Sequence, residues 1–379
     1  MSGPEPATSP DGGGAYADRL LADAARAADA ARVRLSGALN DLFRSPESRL
    51  NDRDHATMNR MLVALIREIE TDIRVRLGAQ GLLDDSGPLA DELADARISI
   101  AWPRLSRSRV MRDDGLIQLL LRRSDEHHLS TALRASYPAR FNPDAGAMDR
   151  LLNHANAAIS DAAQAVLLSE QRRFDRFGDP LLGRADLPIE LQHRVTWWAA
   201  AALRDHMLAS HGIEAEDADR ALVAATSALM DGYDEGAAID RLGFALAYAV
   251  RQENALDDGL LAGLLREGQV ALWVASLAVR ALIDSDAVWP MLTDPDASRL
   301  TLLLRAIGMD RAVALALLAD LFLARGGVPG EQDERLARAA FAFDALSQEE
   351  AHAAIRPWRP GDHYRRAVAR LALDEGQVA

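Results

Sequence analysis

Between residues 58 and 77 the apolar side chains return every three or four positions: Met58, Met61, Leu62, Leu65, Ile66, Ile69, Ile73 and Leu77. At about 3.6 residues per turn this spacing lines one face of a helix. The pattern predicts a helix from near Asn51, ended by Gly78 and the QGLLDDSGP stretch after it. Pro88 suits the first position of the next helix, where a missing N–H costs nothing. Residues Ile98–Arg123, ISIAWPRLSRSRVMRDDGLIQLLLRR, read as a helix end, a turn at Trp102–Pro103 and a short second helix opened by Asp113–Asp114. That helix carries Leu116, Ile117, Leu119, Leu120 and Leu121, more apolar surface than a short helix buries alone. It needs neighbours on both sides, which is the logic of stacked helical repeats.

The same reading continues downstream. A longer helical region is predicted from Pro143, with Asn142 as its N-cap. Ile189–Met207 places Leu191, Val195, Trp198 and Ala202 on one face and Trp197, Ala201 and Leu208 on its neighbour. So broad an apolar arc predicts packing on two sides, with Trp198 buried. From Glu214 onward, helical patterns alternate with Gly and Asp-Pro breaks. Asp294–Pro295 reads as an N-cap and first position, and Gly326–Gly327 as a stop. Ser347 and Glu350 fit a capping box, and a last helix spans Gly361–Leu373. Only residues 1–14, rich in Pro, Gly, Ser and Asp, read as disordered.

One ten-residue stretch returns. Asp113-Asp-Gly-Leu-Ile-Gln-Leu-Leu-Leu-Arg122 recurs as Asp257-Asp-Gly-Leu-Leu-Ala-Gly-Leu-Leu-Arg266, at an offset of 144 residues or four units of 36. A period of that size is typical of paired-helix repeats. Composition agrees: 49% of the 379 residues are hydrophobic but only 5% aromatic, and Ala and Leu dominate. The fold class is therefore all-α, built of stacked helical hairpins.

At these segments the sequence resembles the family called domain of unknown function 2336, of alphaproteobacteria. Ala101, Pro103, Leu105, Ser108, Val110, Asp113 and Leu116 carry its pattern of an Ala-x-Pro-x-Leu turn, a Ser and a helix opened by Asp. The helix of residues 51–77 and the Asp186–Leu191 stretch followed by Trp197–Trp198 look similar too. The chain departs from the pattern at Arg109 and Arg112. The resemblance spans roughly Leu50–Arg325. It implies a HEAT-like array, an α-α superhelix of uncharacterised biochemistry, with no catalytic residues to carry over. The domains expected are a tail at 1–14, an N-terminal helical region at 15–49, a helical-repeat domain at 50–325 and capping helices at 326–379.

Candidate chemistry is sparse. With no cysteine, thiolate and disulfide chemistry are excluded. Asp84–Asp85 and Asp257–Asp258 lack the further carboxylate a magnesium motif needs and read as helix caps. The acidic stretches Asp231–Glu235 and Glu214–Asp219 do not meet the calcium-loop pattern and read as solvated faces. The nine histidines show no metal-ligand spacing. His206 and His211, five apart, point about 140° from one another around a helix, and His193 and His206 read as interhelical hydrogen-bonders. No metal, cofactor or catalytic residue is expected.

Charge changes the picture more. A net charge of −14 argues against nucleic-acid binding. Yet residues 97–140 hold nine Arg against four acids, while residues 205–240 hold nine acids against Arg220 alone. Arg104, Arg107, Arg109, Arg112, Arg194 and Trp197 are the candidate partner- or ligand-binding residues. The N-terminus lacks the basic and apolar regions of a signal peptide, and no apolar run approaches the ~20 residues of a membrane span, so a cytoplasmic protein is expected. The function expected is a non-enzymatic protein-interaction or regulatory adaptor with an unknown protein partner. The alternative is a regulatory sensor that binds a nucleotide or other phosphorylated ligand through the Arg-rich region.

Overall fold

A computed structural model describes residues 52–79, 88–95, 97–137, 146–326, 329–359, 361 and 364. The fold is all-α. Sixteen α-helices occur among the described residues: α1 Asp52–Ala79, α2 Pro88–Ala94, α3 Ala101–Leu105, α4 Asp114–Ser136, α5 Ala147–Leu152, α6 Ala157–Arg172, α7 Ile189–His211, α8 Ala215–Asp231, α9 Ile239–Gln252, α10 Asp258–Arg266, α11 Val270–Ala281, α12 Ser285–Leu292, α13 Ser298–Ala306, α14 Arg311–Ala324, α15 Pro329–Ala345 and α16 Gln348–Ala354. Three short 3₁₀ turns and one isolated bridge, Phe174 with Pro180, complete the described secondary structure. The described residues divide into two compact units, one of residues 52–124 and 167–242, the other of 125–166 and 243 onward.

In the first unit α1 is the axis. All eight residues of its apolar stripe are buried, and α2, α3, α7 and α8 pack around it. Two charged residues of the same helix, Glu70 and Arg74, are buried as an ion pair. Most of their polar atoms are satisfied, Arg74 Nε excepted. Glu70 accepts from Ser99 Oγ at 2.6 Å and Ile100 N at 2.7 Å, while Arg74 donates to the carbonyls of Asp95 at 3.0 Å and Ile98 at 2.9 Å. A buried pair is tolerated only when its hydrogen-bonding capacity is met. Here it pins the segment between α2 and α3.

In the second unit α10, α11, α12 and α13 pack in succession, and α13 is covered by α15 and α16. Helix α11 is buried all round, from Val270 through Val279, so an alternating polar face is missing. Capping follows local chemistry. Asp310 accepts from the N–H groups of Ala312 and Val313, and Ser347 with Glu350 forms the expected capping box.

Several expectations shift. Trp102–Pro103 is not a turn but lies inside α3, because Pro in a helix's first turn removes an N–H that has no intrahelical acceptor. The chain turns at 106–113 instead, and the helix after it is 23 residues long rather than short. The region after Pro143 is two helices, α5 and α6, separated at Asn153–Asn156. Asp294 does not hold the N-cap position, which falls to Ala297, although its Oδ2 still accepts from Arg299 N at 3.4 Å. It turns inward to Arg299, with Asp294 Oδ2 3.5 Å from Arg299 Nε, and its carbonyl accepts from Arg325 at 2.8 Å. Both arginines are largely buried, so a carboxylate and carbonyl are more valuable beside them than at a helix end. The predicted tail, the region 15–49, Asp84–Asp85, Asn142 and most of the last helix fall outside the described residues.

Candidate functional site

The basic segment is mostly consumed by partners, and two of these come from the acidic one. Arg104 donates to Asp205 at 2.8 Å and Arg122 pairs with Asp240. Arg123 is buried, donating to the carbonyls of Leu181 and Arg173 and lying 4.9 Å over the Phe174 ring. Arg97 pairs with Asp95, Arg134 donates to the Glu267 carbonyl, and Arg112 is exposed but engaged. Arg194 reaches Asp113 at 3.0 Å. With Arg140 outside the described residues, that leaves Arg107 and Arg109, both exposed and without a side-chain partner among the described residues, next to Val110, which is 44% exposed.

Trp197 and Trp198 are both half-buried and pack against the core of the first unit. Burial of Trp198 is therefore partial. The interior of α7 is lined instead by Leu191, Gln192, Val195, Thr196, Ala199 and Leu203, with Ala201 exposed, as the helix packs on α1, α3 and α8. The two tryptophans flank that stripe, and the small alanines let neighbouring helices approach closely along it.

A second constellation escaped the sequence reading. At the last turns of α7, His206 and His211 turn toward one carboxylate, that of Glu92 on the seven-residue α2. His211 Nε2 lies 2.7 Å and His206 Nε2 3.0 Å from Glu92 Oε2. The rings meet edge to face with centroids 5.3 Å apart. The 140° separation of their Cα positions is overcome by side-chain reach. His211 is the last residue of α7, where Gly212 takes a left-handed φ of 60° and ends the helix. Ser210 Oγ stands 3.2 Å from His206 Nδ1. Glu92 is held below the usual carboxylate range, first by His206, against the opposing pull of burial, and then by His211. His193, by contrast, is exposed on the same helix. No local spacing announces this cluster, since Glu92 lies 114 residues before His206 in a helix too short to show periodicity.

An open groove of about 580 Å³ runs along α1 between Asn59 and Asp72; among the described residues it holds two arginines and no aromatic ring. Among the described residues no helix is long and apolar enough to cross a membrane.

These features define an all-α protein in which several charged side chains join separate helices. The chain belongs to the family described as uncharacterised protein conserved in bacteria (DUF2336), whose model matches residues 100–356. The match starts after α1 and extends through α16, later at both ends than the 50–325 expected from the resemblance. No curated protein and no solved structure matches it significantly.

Proposed function

We propose that the protein is a non-enzymatic helical-repeat adaptor of HEAT-like hairpins that docks an acidic protein partner on the segment from Arg107 to Val110. One observation carries this reading: two exposed guanidiniums without partners sit beside an exposed apolar side chain, on a connection whose flanks are held by the Arg104–Asp205 and Arg194–Asp113 pairs. Free guanidiniums offer planar, bidentate contacts to carboxylates, and the fixed flanks reduce the ordering that binding requires. Among the described residues the groove on α1 has no ring on which a base could stack, which favours a protein partner over a nucleotide.

The test is capture from native cell extract by wild type and by the double variant Arg107→Glu/Arg109→Glu, with mass spectrometry and a salt titration. The reading expects acidic proteins that wild type retains and releases at raised salt, that the variant loses, and a melting temperature within the small range of surface substitutions. Identical sets of captured proteins refute it. A nucleotide retained by wild type and lost by the variant moves the conclusion to a phosphorylated-ligand sensor.

A further inference from the structure

We propose that Glu92, His206 and His211 form a binding site for one divalent transition-metal ion of the zinc class, which ties α2 to the end of α7. This is independent of the docking segment. The three donor atoms lie within 4.8 Å of one another. In a tetrahedral zinc site with bonds of about 2.0–2.2 Å, neighbouring donors stand ~3.3 Å apart. The two contacts to Glu92 Oε2, at 2.7 and 3.0 Å, need only open by a few tenths of an ångström to admit the ion.

The chemistry of the pocket points the same way. His206 is only 9% exposed, and its Nε2 is buried without an aligned hydrogen bond although it faces the carboxylate. In the tautomer with Nδ1–H donating to Ser210 Oγ, Nε2 offers its lone pair on the Glu92 side, the form in which imidazole ligates a metal ion. The Ser210 contact is then the outer support that orients a ligating imidazole. Two imidazoles and a carboxylate suit zinc and its Irving–Williams neighbours, whereas calcium and magnesium prefer oxygen alone. The Glu92 side chain is 34% exposed, so at least one coordination position opens to water. Both supporting elements are fixed in advance: α7 is packed on three helices, and the chain leaving α2 is pinned by Glu70 and Arg74.

The full chain, stripped with a chelator, is titrated with Zn²⁺ by calorimetry and with Co²⁺ by visible absorption. Wild type is expected to bind one ion per chain and to melt at a higher temperature with the ion present. Glu92→Gln and His211→Ala, both at partly exposed positions, should weaken binding by more than the roughly 10–100-fold typical of outer-shell changes and abolish the rise in melting temperature. Ser210→Ala should weaken it by about tenfold, and His193→Ala should leave it unchanged. Circular dichroism checks that each variant is folded; if His206→Ala is not, the Glu92 and His211 variants decide. Failure of wild type to bind, or equal binding by wild type, Glu92→Gln and His211→Ala, overturns the proposal.

Discussion

The two copies of the repeated stretch, Asp113–Arg122 and Asp257–Arg266, start alike and diverge where their surroundings do. In each the first Asp accepts from the N–H three residues on, Leu116 at 3.0 Å and Leu260 at 2.7 Å. In each the next pair of apolar residues is buried, and the closing Arg reaches an Asp of another helix, Arg122 to Asp240 and Arg266 to Asp320. The seventh position differs. Leu119 is half-buried in one copy, while in the other Gly263 lies where an added Cβ would come within 2.7 Å of the Ala147 Cβ. That glycine lets α5 approach α10, and Glu267 just beyond caps α5 by accepting from the N–H groups of Ala147 and Met148. The ends differ as well. The helix of the first copy runs on to Ser136, but that of the second stops at Arg266, because Gly268 adopts a φ of +68° and closes it with Gln269 N donating to Leu264 O. A shared local code thus sets the start of each helix, and the neighbour decides its middle and end.

Core truncation tests the shared part and carries the largest effect. Ile117→Ala and Leu261→Ala, at equivalent and fully buried positions, should each cost about 2–5 kcal/mol in denaturant unfolding. A cost under 1 kcal/mol at either site breaks the equivalence. Next comes the divergent position. Gly263→Leu, which copies the first stretch into the second, should cost about 1–3 kcal/mol through overpacking against α5. If it stabilises instead, through its better helix propensity, the close approach of α5 is not a constraint.

The caps come third. Asp113→Ala and Asp257→Ala should each lose ~1 kcal/mol, the usual worth of an N-cap. Asp113→Ala should also free Arg194 at little further cost, since that pair is half-exposed. A difference beyond about 1 kcal/mol between the two would show that the caps are not equivalent. The smallest effect is a pH dependence confined to the second copy. Tyr137 donates to Asp320, the partner of Arg266, and burial first, then that hydrogen bond, raises its phenol above the ordinary 10.0. A raised pKa means the folded state favours the neutral phenol, so its contribution is complete below pH 10 and fades as the pH climbs through the raised value. Above that range wild type should lose stability more steeply than Tyr137→Phe, measured by thermal melts; parallel slopes would remove Tyr137 from the pair's energetics.

Periodicity and caps are local, and the sequence alone determined them well: the α1 stripe, the two Asp caps, the Ser347–Glu350 box and the all-α class. Each is set by residues within one or two turns, where spacing along the chain equals spacing in space. Charge segregation was legible too, but not its outcome. That Arg104 meets Asp205 and Arg122 meets Asp240 depends on how separate helices pack, and contacts within the molecule, with carboxylates or backbone carbonyls, engage much of an apparent basic surface. Tertiary structure alone also decided that Glu92 should stand between His206 and His211. Two helices remote in sequence bring those three side chains together, so no pattern read along one helix contains the site.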